Sequence, residues 1–172
     1  MLKNIYVRNL IIDTIVLIGP SGAGKTSLGR LIADELHWDF YDTDEQTALH
    51  TGMLCNDFIR QIGLRSFRAI EKKILFSLLL PKTVIASGAG IIEESYIELL
   101  KKETLLWLII EPLEVIEKRM TEKDKSERPL WEERAMLYNR RLSLYTKYAD
   151  IVTSSDIQEI VKETNRIKST ID

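Results

Sequence analysis

The sequence predicts an α/β fold, a three-layer sandwich in which a five-stranded, mainly parallel sheet carries helices on both faces. Three observations predict it. Short apolar runs recur at Thr14 to Ile18, Trp38 to Tyr41, Thr83 to Ala86, Leu105 to Ile110 and, more weakly, Ile151 to Thr153. Most are apolar nearly throughout instead of alternating, as suits strands covered on both sides. Helix-length segments separate them, as right-handed crossovers between parallel strands require.

The first run leads into Gly19-Pro20-Ser21-Gly22-Ala23-Gly24-Lys25-Thr26 and then a helix whose apolar stripe is Leu28, Leu31, Ile32 and Leu36, with Gly29, Arg30, Asp34 and Glu35 elsewhere. The second run ends in Asp42-Thr43-Asp44-Glu45. A helix is expected from about Glu71 to Leu80, ended by Pro81, and the third run then meets Ser87-Gly88-Ala89-Gly90. Further helices are expected at Glu93 to Lys101, at Leu113 to Met120 opened by Pro112, at Trp131 to Lys147 and at Ile157 to Ile167. No internal repeat, low-complexity tract or Pro- and Gly-rich linker interrupts the chain, so residues 1–172 read as one domain.

Composition excludes several functions. With 172 residues and 45% hydrophobic side chains the chain can bury a sizeable core unaided. A net charge of -2 gives no broad field for nucleic acid or an anionic membrane, so a bound anion must be held by local groups. Cys55 is the single cysteine and can form no internal disulfide, which fits a reducing cytoplasm; it reads as a small, half-buried apolar residue. No apolar run approaches the roughly 20 residues of a membrane span, and Asp13 interrupts the N-terminal one before a signal sequence could form. A cytoplasmic monomer is the expectation.

The loop from Gly19 to Thr26 carries the chemistry. Gly-x4-Gly-Lys-Thr lets successive backbone N–H groups turn inward on phosphates with no Cβ in the way. Lys25 reaches the β and γ phosphates, and the Thr26 hydroxyl ligates Mg²⁺. The helix that starts there adds its positive dipole end. Strand before and helix after are the setting this motif needs, and ATP with Mg²⁺ is the expected occupant. Asp42 and Asp44 fall where a strand's carboxyl end faces the ligand crevice, so one acid can serve Mg²⁺ through water and the other an acceptor hydroxyl. Thr121 to Glu127 has no apolar side chain to pin it; it reads either as a solvated loop or as a lid that carries Arg128 over the nucleotide.

In order and spacing, several segments resemble the shikimate kinases over roughly residues 14 to 153. They are the phosphate loop, Asp42-Thr43-Asp44, Gly52, and Asp57-Phe58-Ile59-Arg60-Gln61-Ile62-Gly63 leading to Phe67-Arg68 and Glu71. Ala86-Ser87-Gly88-Ala89-Gly90, Arg128-Pro129-Leu130, and Arg141-Leu142-Ser143-Leu144-Tyr145 followed by Ala149-Asp150 continue the likeness. The resemblance implies the P-loop kinase type of fold with a lid at about residues 121–130, and phosphorylation of shikimate in chorismate and aromatic amino-acid biosynthesis. It implies ATP contacts from Gly22, Ala23, Gly24, Lys25, Thr26, Ser27, Arg119 and Arg128, with Arg119 against the adenine. Asp44 would bind the substrate hydroxyls as the base, and Asp42 would join Thr26 in holding Mg²⁺ through water. Arg68 and Arg141 would clamp the carboxylate, Glu71 would orient Arg68, and the backbone of Gly88, Ala89 and Gly90 would complete the pocket. Lys25, Asp44 and Arg128 form the implied catalytic set.

Two positions depart from the family pattern. Ala89 replaces the middle glycine of a triple, and Leu64 stands where Glu is usual. Arg140 adjoins Arg141, but the offset of four residues to Tyr145 favours Arg141 as the clamp. His37 and His50 read as surface residues, and Trp38, Trp107 and Trp131 as packing or lid-hinge residues. Two other readings stay open: a gluconate or nucleoside monophosphate kinase sharing loop and lid, and a nucleotide-binding module without catalysis.

Overall fold

A computed structural model describes residues 13–121, 130 and 132–171. Its sheet has five parallel strands, β1 Thr14–Ile18, β2 Asp39–Asp42, β3 Thr83–Ala86, β4 Leu105–Ile109 and β5 Ile151–Thr153, in the order β2-β3-β1-β4-β5. The helices are α1 Lys25–Leu36, α2 Thr43–Thr51, α3 Cys55–Ile62, α4 Leu64–Ser77, α5 Ile97–Glu103, α6 Leu113–Arg119, α7 Arg134–Tyr148 and α8 Ile157–Ile171, with a 3₁₀ turn at Ile91–Glu93. None of the described helices is long and apolar enough to cross a membrane.

Alternation along the buried strands splits the core in two. Ile15 and Leu17 of β1 and Leu105, Trp107 and Ile109 of β4 face α1 and α8, where Leu28, Ile32, Leu36, Ile160 and Ile167 meet them. Val16, Ile18, Leu106 and Leu108 face the other way, onto Ile74 and Leu75 of α4, Ile97 and Leu100 of α5, and Tyr145 of α7. Both faces of β1 and β4 are covered, so these strands are apolar at every position but Thr14. Each fully buried Leu or Ile contributes about 1.5–3 kcal/mol.

Several boundaries differ from the sequence expectation. β2 begins after Trp38, whose N–H caps α1 at Ala33 O (2.9 Å), and runs to Asp42. The expected helix from Glu71 to Leu80 instead begins at Leu64 and ends at Ser77, before Pro81, and the one expected from Glu93 begins at Ile97. α2 and α3 were not expected. The Thr43–Thr51 segment has little apolar stripe to betray it, because the described residues it buries are Thr43 and Thr47. Gly29, expected off the packing face, is buried against the sheet, where a Cβ would lie 2.5 Å from Phe40 Cε2.

Strand register brings the motifs together. Leu17 and Asp42 both pair with Ala86, so the carboxyl ends of β2, β3 and β1 lie level and side by side. The acid cluster, the glycine turn and the phosphate loop follow these three ends, at the crevice where open α/β sheets bind ligands.

Candidate active site

The phosphate loop needs its glycines for backbone shape. Gly22 and Gly24 have φ of 84° and 97°, left-handed values that put N–H groups on one side of the turn, and Gly24 caps α1 with no side-chain hydrogen bond. Lys25 is buried, and its ammonium donates to the carbonyls of Gly19 (2.9 Å) and Pro20 (2.8 Å). Ser21, Gly22, Gly24, Lys25, Thr26 and Ser27 line a cleft with Asp42, Asp44 and Arg119. Ala23, expected at the nucleotide, turns its side chain into the core, and its N–H donates to Pro20 O at 3.3 Å.

Asp42 holds two elements together. Its Oδ1 accepts from the N–H groups of Asp44 (2.8 Å) and Glu45 (3.3 Å), capping α2, while its Oδ2 accepts from Thr26 Oγ1 at 2.7 Å. Hard oxygen donors, one hydroxyl and one carboxylate, therefore stand together beside the phosphate loop and fit Mg²⁺. Among the described residues no group of three or more His, Cys, Asp or Glu could hold a metal ion.

A second cleft adjoins the first and is lined by Arg68, Glu71, Gly88, Ala89, Gly90 and Arg141. Arg68 Nη1 donates to Glu71 Oε2 at 2.5 Å, and Glu71 is fully buried. Burial raises the Glu71 carboxyl above the usual carboxylate range, while the Arg68 charge opposes that rise. Arg141 is buried, whereas Arg140 does not line this cleft and its side chain is 54% exposed. The Tyr145 hydroxyl donates to Ala89 O (2.8 Å), tying α7 to the glycine turn, and burial pushes its phenol well above its ordinary value. On the other side of the turn, Gly88 N–H donates to Thr43 Oγ1 at 3.0 Å.

The turn requires glycine for space. A Cβ at position 88 would lie 2.1 Å from Glu71 Oε1, and one at position 90 would lie 1.9 Å from Arg68 Nη2. Among the described residues the positive-φ ones are His37 and Lys82 besides glycines, and Ala89 is not one of them, so its methyl group sits on unstrained backbone. Leu64 opens α4, exposed and outside this cleft.

The two clefts share Ser21, Asp44, Gly88 and Ala89. Asp44 is thus the carboxylate at their junction. Arg119 lies at the far end of the loop-side cleft, donating to Ser155 Oγ at 2.7 Å with Glu111 Oε1 3.7 Å away. Arg128, Pro129 and Trp131, and nearly all of the expected lid, lie outside the described residues. Trp107 is buried in the core and its indole N–H donates to Thr153 Oγ1, while His37 and His50 are exposed.

Sequence reasoning missed Thr43, Phe67, Tyr138 and Glu93 at or beside the site. Phe67 and Tyr138 line the second cleft, and Tyr138 donates to Glu111 O at 3.0 Å. Cys55 also lines it; burial and the nearby Asp44, Glu71 and Asp42 push its thiol up to about 12. The Thr-Asp pair after Asp42 was a usable signal for Thr43; Glu93 had none.

Comparison with known proteins is consistent across sequence and structure. A family model described as shikimate kinase matches residues 21–172. A shikimate kinase of Thermodesulfovibrio yellowstonii is 36% identical over 171 residues, spanning 90% of this chain and 96% of that protein. A shikimate kinase from Acinetobacter baumannii, solved in complex with shikimate, superposes with a TM-score of 0.81 at 27% identity and 93% of each chain covered. A shikimate kinase from Aquifex aeolicus superposes with a TM-score of 0.77 at 29% identity, covering 91% of this chain and 96% of its own.

Proposed function

The chain belongs to the shikimate kinase family, and from that premise we propose that it transfers the γ-phosphoryl group of ATP to the 3-hydroxyl of shikimate, releasing ADP and shikimate 3-phosphate. The observation that carries this reading is the meeting of the two clefts at Asp44. One cleft has the furniture of a triphosphate site and the other pairs two arginines with a glycine turn. A planar guanidinium matches a carboxylate in a two-point contact, so an anionic polyol is the acceptor the second cleft favours.

Phosphoryl transfer asks a protein mainly to align donor and acceptor and to surround the developing charge. Lys25 leaves the Gly19 and Pro20 carbonyls for the transferring phosphate, and the backbone N–H groups of Gly22 to Thr26 hold the rest of the chain of phosphates. Asp44 orients the acceptor hydroxyl and takes its proton. Thr26, with Asp42 acting through water, would hold Mg²⁺, which would supply charge to neutralise the phosphates. Arg68, oriented by Glu71, and Arg141 hold the acid, while the backbone of Gly88 to Gly90 shapes the pocket. Arg119 packs against the adenine, and Arg128 stabilises transition-state charge from a lid over about residues 121–130. We read residues 1–172 as one kinase domain, acting as a monomer in the cytoplasm, with no nucleic-acid or membrane partner, at a step of chorismate biosynthesis.

The test is ADP release with ATP, Mg²⁺ and, side by side, shikimate, gluconate and nucleoside monophosphates. Turnover with shikimate at least roughly 100-fold above the others, the scale of discrimination by a site whose polar groups a mismatched acceptor leaves unpaired, supports the reading; gluconate, which also carries a carboxylate, tests the shape of the cleft and not its charge alone. Background turnover with shikimate would sink it.

A further inference from the structure

We propose that Glu93 is a positioning residue that sets affinity for the acid by orienting Arg141, an inference that rests on the kinase reading above. Glu93 ends the 3₁₀ turn that follows Gly90, and the two preceding residues, Ile91 and Ile92, are buried in the core and fix its backbone. Its Oε2 accepts from Arg141 Nε at 2.7 Å and lies 2.6 Å from Arg141 Nη2. Its Oε1 lies 2.6 Å from Arg140 Nη2. A guanidinium has five N–H donors in a rigid fork, so fixing the Nε edge fixes the direction of the rest. Arg141 lines the acceptor cleft, and its remaining donors are held in one plane there. The arrangement parallels that of Arg68 and Glu71, so each of the two arginines of the cleft has a carboxylate partner, Glu93 being shared with Arg140.

The two carboxylates differ in what they do for the fold. Glu71 is fully buried, while the Glu93 side chain is 25% exposed. Losing the partly exposed Glu93 is therefore the milder structural insult of the two. Removing Glu93 has two opposed effects on an acid in the cleft. It frees Arg141 to sample other rotamers, which weakens binding, and it removes a like charge, which strengthens it. Solvent reaches the 25% exposed Glu93 side chain and screens its charge at the acid, whereas the loss of orientation acts through direct contact. The orientation effect wins, and affinity falls.

The experiment compares wild type, Glu93→Ala and Glu93→Gln by ADP release, with shikimate and with its uncharged methyl ester as acceptors. Glu93→Ala is expected to raise the KM for shikimate about tenfold, the scale of one charge-assisted hydrogen bond, with kcat and the KM for ATP within twofold. The acid-to-ester ratio of kcat/KM should fall by about the same factor. Glu93→Gln keeps an acceptor for Arg141 and should hold the shikimate KM to about a threefold rise; it is decisive by itself if the alanine variant does not fold. A shikimate KM that is unchanged or lower, or an equal loss for acid and ester, overturns the inference. Failure of the wild type to phosphorylate shikimate overturns the kinase reading and this inference with it, whereas turnover with an unmoved KM overturns this inference alone.

Discussion

Gly90→Ala isolates the geometry of the acid clamp. Gly90 has φ -84°, so alanine takes up the same backbone without strain, and whatever the substitution does comes from its methyl group. That methyl would lie 1.9 Å from Arg68 Nη2, 2.3 Å from Cζ and 2.6 Å from Nη1. Ordinary contact begins at about 3.5 Å, so the guanidinium must retreat by roughly 1.5 Å. It cannot retreat with its partner, because Glu71 is buried at the other end of a 2.5 Å contact and packed in place. Arg68 then loses alignment with the acid. A hydrogen bond to a charged group contributes about 1.5–3 kcal/mol, so the KM for shikimate should rise roughly 10- to 150-fold. Neither Gly90 nor Arg68 lines the loop-side cleft, so the KM for ATP should stay within about twofold of wild type. The assay is coupled ADP release, varying shikimate at saturating ATP, with circular dichroism to confirm the fold. A shikimate KM within threefold of wild type, or an equal rise for ATP, would refute the steric argument.

Ala89→Gly should do little to catalysis, since Ala89 is not in the left-handed region; thermal melting should show a loss of about 0.5–1 kcal/mol from added chain entropy, and a fivefold gain in shikimate affinity would contradict this. Arg141→Ala should mainly raise the KM for the acid, and Lys25→Ala should mainly abolish turnover, because the two side chains line different clefts; equal loss of ATP binding in both, measured by calorimetry, would refute the division. The Cys55 thiol, raised in the fold from 9.0 to about 12, should at pH 8 be about 1000-fold less ionised than in the denatured chain, and iodoacetamide labelling should slow to match. Above pH 9 the unfolded thiol loses its proton first. The fold should therefore lose stability between pH 9 and about pH 12, and Cys55→Ala should lack that component in alkaline denaturation.

The legible part of the molecule is the part whose signal is local. β1 and β3 fall where their apolar runs do, because both are buried at every position and strands covered on both faces are predominantly apolar; the edge strand β5 exposes Val152 and its signal is correspondingly weaker. The phosphate loop announces itself because backbone geometry at Gly22 and Gly24 demands residues without a Cβ. α2 was illegible for the opposite reason, whereas α3 does carry a helical stripe in Phe58, Ile59 and Ile62. α2 is polar, buries threonines and is set by the Asp42 cap, a cue as easily read as an acid turn.

By itself the sequence determined the sheet, the nucleotide loop and, through resemblance, the residue types of an acid-binding site. Only the tertiary structure decided how these meet. Register between β2, β3 and β1 aligns three strand ends whose motifs lie far apart in sequence, and that alignment makes Asp44 common to both clefts. Glycine's role at positions 88 and 90 is steric, set by Glu71 and Arg68 from another helix, and a residue without a side chain carries no hydropathy to reveal it. The pairing of Glu93 with Arg141 spans 48 residues and rests on packing between a 3₁₀ turn and α7. No periodicity encodes a contact of that kind, because it exists only once both elements are docked on the same face of the sheet.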